Sequence, residues 1–260
     1  MPAGSSAPVM PGAEPVDLPG GDVGVLLSHG FTGTPQSMRP WAEYLNAAGL
    51  TVRCPLLPGH GTRWQDMNAT TWDDWYGAVE AAFDDLRSRC STVFAMGLSM
   101  GGTLVLRLAE LRGDEVAGVV VVNTSLATQR KDAKLLPVAK RLVGSFPGIG
   151  SDIKKPGVKE LAYDRLPLKA VHSLQSAWPV VCADLPRITA PVLVFRSTTD
   201  HVVEPISGIK LLQGLQGHAS VRERLLENSY HVATLDNDAP TIFEESLAFV
   251  REHAPADRAG

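Results

Sequence analysis

The sequence predicts an α/β protein: a mostly parallel sheet with helices on both faces, interrupted once by an inserted, mostly helical cap. Three observations lead there. Strand-like and helix-like runs alternate from Val23 to Asn123 and again from Pro191 to His253. Val119 to Val122 is a continuous β-branched run, as a strand covered on both faces requires. Between about Thr124 and Leu185 the alternation stops, and helix-like pieces are broken by Pro137, Pro147, Pro156 and Pro167, with no good strand.

The elements follow in order. Residues 1–20 form a Pro/Gly/Ser/Ala-rich leader, read as a flexible or edge-hugging arm with a short strand near Val16 to Leu18. Val23–Leu27 is a buried strand ending in His29-Gly30-Phe31-Thr32-Gly33. Met38, Trp41, Ala42 and Leu45 follow helical spacing, closed by Gly49. Leu50–Cys54 is the next strand, and Pro55 to Arg63 a loop. Thr71 and Asp74 resemble a capping box, opening a helix with an apolar stripe of Trp72, Trp75, Tyr76, Val79, Phe83 and Leu86. The stripe reads as core packing. Strands at Thr92–Gly97, Val116–Asn123, Pro191–Arg196 and Ser220–Leu226, with helices at Thr103–Glu110, Ile206–Leu215 and Pro240–His253, complete the list. The expected organisation is an arm at 1–20, a core at 21–123 and 186–254, and a cap at 124–185.

Bulk properties narrow the class. The chain has 260 residues, 44% hydrophobic, with a net charge of −4; its mean hydropathy is +0.01. These values describe a globular protein large enough to need neither disulfide nor metal. The acidic balance gives no nucleic-acid footprint. Three widely spaced cysteines, no signal-peptide pattern and no long apolar stretch point to the cytoplasm.

The chemistry centres on Gly97-Leu98-Ser99-Met100-Gly101. A Gly-x-Ser-x-Gly pentapeptide between a strand and a helix turns so sharply that the serine hydroxyl projects above the sheet edge. A serine needs a base and a group to orient that base. In such sheets the chain order is Ser, Asp or Glu, then His, with active residues beyond the strand C-termini. Asp200 follows the Val192–Phe195 run and His231 follows the Val221–Leu226 run, so both fit. Glu204 is the neighbouring alternative acid, although its place at a helix start suggests capping. His29, His60, His172, His201, His218 and His253 fit less well; Asp184 precedes its strand and Asp236 follows the histidine, so neither fits well. The oxyanion donors are expected from the backbone N–H of Met100 and of Phe31. No cofactor and no metal is required.

These residues carry a family resemblance from roughly Gly12 to His253. The segments HGFTGTPQSMRP (29–40), GHGT (59–62), GLSMGGTL (97–104), GSDIKKPGVKELAY (150–163), DHVVEP (200–205) and NSYHVATLD (228–236) are similar to the bacterial monoacylglycerol lipase and small thermostable carboxylesterase group of the α/β-hydrolase superfamily. The cap segment is the most telling, because such insertions vary widely among hydrolases with one triad. The resemblance implies an α/β-hydrolase fold, a triad of Ser99, Asp200 and His231, and oxyanion donors Phe31 and Met100. It also implies contact of Glu160, and of Asn123 at its strand end, with the glyceryl group. Read from the residues alone, Glu160 is a solvated helix residue.

The expected activity is hydrolysis of carboxylic esters through an acyl-enzyme, with monoacylglycerols the first choice. The alternatives are a general carboxylesterase on short soluble esters and a non-catalytic ligand-binding protein. Between Arg130 and Lys169 ten Lys/Arg stand against four Asp/Glu. Solvated helix faces explain this. The sharper alternative is that Leu135, Leu136, Leu142, Val143 and Phe146 face a lipid aggregate.

Overall fold

A computed structural model describes residues 7–148, 151–217 and 220–255. Strands β1 (Val16–Leu18), β2 (Val23–Ser28), β3 (Thr51–Cys54), β4 (Thr92–Leu98) and β5 (Val119–Val122) lie in the first half. Helices α1 (Arg39–Ala47), α2 (Trp64–Met67), α3 (Trp72–Arg89) and α4 (Met100–Arg112) lie between them. After β5 come α5 (Leu136–Leu142), β6 (Ser145–Pro147), β7 (Arg165–Pro167) and α6 (Leu168–Asp184). The chain then returns through β8 (Val192–Ser197), α7 (Pro205–Gly214), β9 (Val221–Leu226) and α8 (Ala239–His253).

Seven strands form one sheet in the order β1-β3-β2-β4-β5-β8-β9. All its pairings are parallel except β1 with β3, where Val16 faces Cys54. Successive side chains of a strand point to opposite faces, and the core divides accordingly. Val93, Ala95, Val119, Val121, Val192 and Val194 pack with Trp75, Val79, Phe83 and Leu86 of α3 and with Leu104 and Leu108 of α4. Phe94, Met96, Val120, Val122, Leu193 and Phe195 pack with Trp41 and Leu45 of α1 and with Ile242, Phe249 and Val250 of α8. Parallel strands carry the apolar runs of the sequence because both faces are covered.

Local chemistry starts the helices where expected. Thr71 N–H donates to Asp74 Oδ2 at 2.8 Å, so the capping box forms. Within the arm, Met10 N–H donates to the Gly61 carbonyl at 2.7 Å and Ala13 is fully buried. The arm is therefore held at Met10 by the Gly61 loop and at Val16–Leu18 by β3; residues 1–6 and His218 lie outside the described residues.

Two expectations about the segment between β5 and β8 need correction. It does contain strands: β6 and β7 pair antiparallel, with Ser145 opposite Pro167 and Pro147 opposite Arg165. A two-stranded edge ladder tolerates proline where a central strand would not, which hid it from a reading of the sequence. Secondly, Pro137 and Pro167 start α5 and α6 rather than break them, where a missing N–H costs nothing. Residues 151–163 are not helical; they run as an extended strap across the C-terminal ends of the core strands.

Candidate active site

Ser99 sits between β4 and α4 with φ 56° and ψ −119°, a left-handed backbone that side chains rarely adopt. The glycines around it are dictated by contact. A Cβ on Gly97 would lie 2.3 Å from the Gly101 backbone, and one on Gly101 would lie 2.0 Å from the Ser28 carbonyl oxygen. Ser99 N–H donates to the Val122 carbonyl at 2.9 Å, holding the turn to β5. Among the described residues the non-glycine residues at positive φ are Thr32 (62°), Ser99 (56°) and Asn123 (46°). They follow β2, β4 and β5, adjacent strands of the sheet. Strain of this kind persists only where surrounding contacts hold it, and here it is confined to one cluster of strand ends.

Asp200 follows β8 and His231 follows β9. His231 Nδ1–H donates to Asp200 Oδ2 at 2.8 Å, with side chains 8% and 9% exposed. The other Asp200 oxygen accepts the N–H groups of Val202 (2.8 Å) and Val203 (2.7 Å). Burial alone would raise the Asp200 pKa, but the His231 charge and these hydrogen bonds outweigh it and hold it below the ordinary value. Burial would likewise lower His231, yet Asp200, then Glu160 and Asp152, raise it above the ordinary imidazole value.

Phe31 and Met100 flank the serine. Met100 is the first residue of α4, where amides have no partner within the helix. The Phe31 ring packs edge-on against Trp75, with centroids 5.9 Å apart, and against His60 at 6.4 Å. A Cβ on Gly30 would lie 3.4 Å from Ser99 Cβ, so this loop passes directly beside the serine. His29 and His60 brace it from below. Burial pushes them down to about 4 and about 3, so both are neutral. His29 Nδ1–H donates to the Gly30 carbonyl and its Nε2 accepts Leu57 N–H.

Glu160 arrives from the strap. A Cβ on Gly33 would lie 2.7 Å from its Oε1, so the carboxylate rests against the Phe31 loop. Burial pushes its pKa up to about 6, opposed by the His231 charge and the Ser37 hydroxyl. The strap is tied to the same loop: Tyr163 N–H donates to the Thr32 carbonyl (3.1 Å), and Thr34 Oγ1 to the Leu161 carbonyl (3.0 Å).

Asn123 lies at the end of β5 with its side chain turned to neighbouring strand ends. Its Nδ2 donates to Ser197 Oγ (2.9 Å) and to the His231 carbonyl (2.8 Å), and its Oδ1 accepts Ser197 N–H (2.8 Å). At 4% exposure its amide joins the ends of β5 and β8 to the His231 loop. Glu204 does not cap its own helix either; its carboxylate accepts Gln129 N–H at 2.8 Å.

Two acids that the sequence reading passed over hold the strap. Asp236, 1% exposed, accepts four backbone N–H groups, from Lys154, Lys155, Tyr230 and Asn237. Asp152 accepts N–H groups of His201 and His231. The only sequence signal for either was membership in the segments 150–163 and 228–236.

Among the described residues no group of three or more His, Cys, Asp or Glu is placed to hold a metal ion. No helix there is long and apolar enough to cross a membrane.

A parallel sheet with a strained serine at the turn from its central strand, and an acid–histidine pair beyond β8 and β9, defines an α/β-hydrolase. The family profile described as serine aminopeptidase, S33 matches residues 22–238, and the chain belongs to that family. It is 46% identical over 251 residues to a thermostable monoacylglycerol lipase of Bacillus sp. (strain H-257), covering 95% of this chain and 98% of that one. It is 26% identical over 242 residues to a carboxylesterase of Bacillus subtilis (strain 168), covering 92% and 96%. A solved structure from work on the metagenome-derived lipolytic enzymes LipS and LipT superposes with a TM-score of 0.91 at 46% identity, covering 95% of this chain and all of that one.

Proposed function

We propose that the protein hydrolyses carboxylic esters through an acyl-enzyme, with monoacylglycerol its preferred substrate. His231 Nε2 takes the proton of Ser99 as Oγ bonds to the ester carbonyl carbon. The carbonyl oxygen, now negative, is held by the N–H groups of Met100 and Phe31. His231 returns its proton to the glycerol oxygen, the carbon–oxygen bond breaks, and the acyl group stays on Ser99. Water, deprotonated by His231, attacks the acyl carbon; the fatty acid leaves and Ser99 regains its proton. Asp200 keeps Nδ1 protonated and stabilises the imidazolium without taking the proton.

Glu160 carries the glyceride reading. A carboxylate at the Phe31 loop, in electrostatic reach of His231, suits acceptance of hydroxyl protons from a polyol leaving group. The 46% identity to a monoacylglycerol lipase supports the same choice. Turnover of 1-monolauroylglycerol and of p-nitrophenyl butyrate should both vanish in Ser99→Ala, with unchanged circular dichroism. Glu160→Gln should lose about tenfold or more in kcat/KM on the glyceride only, as expected for a lost charge-assisted hydrogen bond. Equal effects on the two esters would favour the general carboxylesterase that the Bacillus subtilis relative exemplifies. Labelling of wild-type protein by a fluorophosphonate separates both from a non-catalytic binder. The cytoplasm, checked by cell fractionation, completes the reading; the free thiols Cys54, Cys90 and Cys182 support it.

A further inference from the structure

The carboxylate of Asp152 lies at the junction of three segments. Its side chain is 9% exposed, yet it comes from the strap and not from the core sheet. Oδ2 accepts the backbone N–H of His231 (3.1 Å) and that of His201 (3.1 Å), the residue after Asp200. Oδ1 faces His201 Nδ1 at 2.7 Å. The Asp152 carbonyl accepts Val232 N–H at 3.1 Å. Asn123 already holds the His231 carbonyl, so the histidine's backbone is gripped on both sides, by the core and by the strap.

We propose that Asp152 is a positioning residue of the hydrolytic site, fixing the His231 backbone and the Asp200 loop together and adding a negative charge that favours the imidazolium. The strap that carries it also carries Glu160 and ends against the Phe31 loop. The segment that receives the substrate's alcohol therefore also sets the geometry of the base. This inference rests on the reading of Asp200 and His231 as partners of Ser99.

The charged and titratable groups involved can be named. Asp200 from the loop after β8, and Glu160 and Asp152 from the strap, act on His231. His201 faces Asp152 and is 55% exposed. His201 also packs edge-on to Tyr230 at 4.7 Å, and Lys154 lies 6.0 Å from the same ring.

Asp152→Asn removes the charge and sets an NH₂ against His201 Nδ1, while its oxygen can still accept the two backbone N–H groups that Oδ2 takes now. Its kcat should fall about 3-fold, the equivalent of half a pKa unit of lost imidazolium stabilisation. KM should change little, and the loss should be the same on 1-monolauroylglycerol and p-nitrophenyl butyrate, unlike that of Glu160→Gln. The acid limb of kcat/KM should move to lower pH by about half a unit, because a negative neighbour of His231 is gone. A merely structural role would lower activity without moving that limb. Asp152→Glu keeps the charge but displaces the oxygens; its limb should stay in place while kcat falls, and this variant decides the matter if Asp152→Asn does not fold. Wild-type kcat in Asp152→Glu, or an unmoved limb in a folded Asp152→Asn, overturns the proposal. Ser99→Ala and His231→Ala run on the same esters separate this failure from failure of the triad reading.

Discussion

The side-chain amide of Asn123 donates to the His231 carbonyl at 2.8 Å while its carbonyl accepts Ser197 N–H at 2.8 Å. One residue thereby joins the strand next to the nucleophile, the strand leading to Asp200 and the loop of the histidine. Asn123 keeps this bond set from a left-handed backbone, φ 46°, which asparagine tolerates better than other side chains.

Asn123→Ala should therefore be destabilised by about 2–4 kcal/mol, from several lost buried hydrogen bonds and their orphaned partners. It should also lose activity. Asn123→Gly relieves the backbone strain and should recover about 1 kcal/mol of that. Urea unfolding midpoints check both; unchanged midpoints would contradict the account.

The pH dependence follows from the Asp200–His231 pair. The folded His231 pKa lies above its ordinary value, so stability from its charged form is present below its unfolded pKa and lost as pH rises through the folded one. Asp200 is lowered, so its contribution is present above its unfolded pKa and lost as pH falls through the folded one. In the proposed mechanism His231 acts as a neutral base, so kcat/KM should fall on acidification at a pH above the ordinary imidazole value. Asp200→Asn should move that limb to lower pH and cut kcat by about 10⁴-fold. A pH–rate profile showing no movement would mean that another group orients the histidine.

Glu110 in α4 offers a test away from the site. Its side chain is fully buried, and burial outweighs Arg107 at 2.9 Å, pushing the carboxyl up to about 8. A carboxyl raised on folding costs stability progressively as pH rises from its unfolded pKa to its folded one. Thermal melts should show Glu110→Gln gaining progressively on wild type between pH 5 and pH 9. A gap that narrows with pH would show the carboxylate to be ionised throughout.

Leu135 (67%) just before α5, Val138 (61%) and Leu142 (80%) within it and Phe146 (46%) in β6 are exposed, with Lys140 and Arg141 in the last turn of the helix. Leu136, expected among them, is buried instead because it starts the helix on its inner side. We propose transient contact of this face with lipid aggregates. Flotation with anionic vesicles should retain the protein at low salt, and Leu142→Glu should weaken retention. No flotation on any vesicle would leave the face a solvated one.

The strands of the core were legible because parallel strands buried on both faces read as unbroken apolar runs; β4, β5 and β8 match within a few residues. The positions of Ser99, Asp200 and His231 were legible for a related reason. The Gly-x-Ser-x-Gly pentapeptide is informative because a strand-like run precedes it and a helix-like run follows, and chain order with strand ends leaves few partners. The β6–β7 ladder and α2 were not legible, being three or four residues long and rich in proline or lacking a cap.

By itself the sequence determined the fold class, the turn at Ser99 and the strand ends that Asp200 and His231 follow, since these depend on local patterns and chain order. The tertiary structure alone decided what Asn123, Asp152, Glu160 and Asp236 touch. Asn123 turned out to be a bracket, and Asp152 and Asp236 hold a strap that no periodicity marks. A carboxylate's role depends on which backbone amides a distant, irregular segment brings to it, and that is settled only when the whole chain packs.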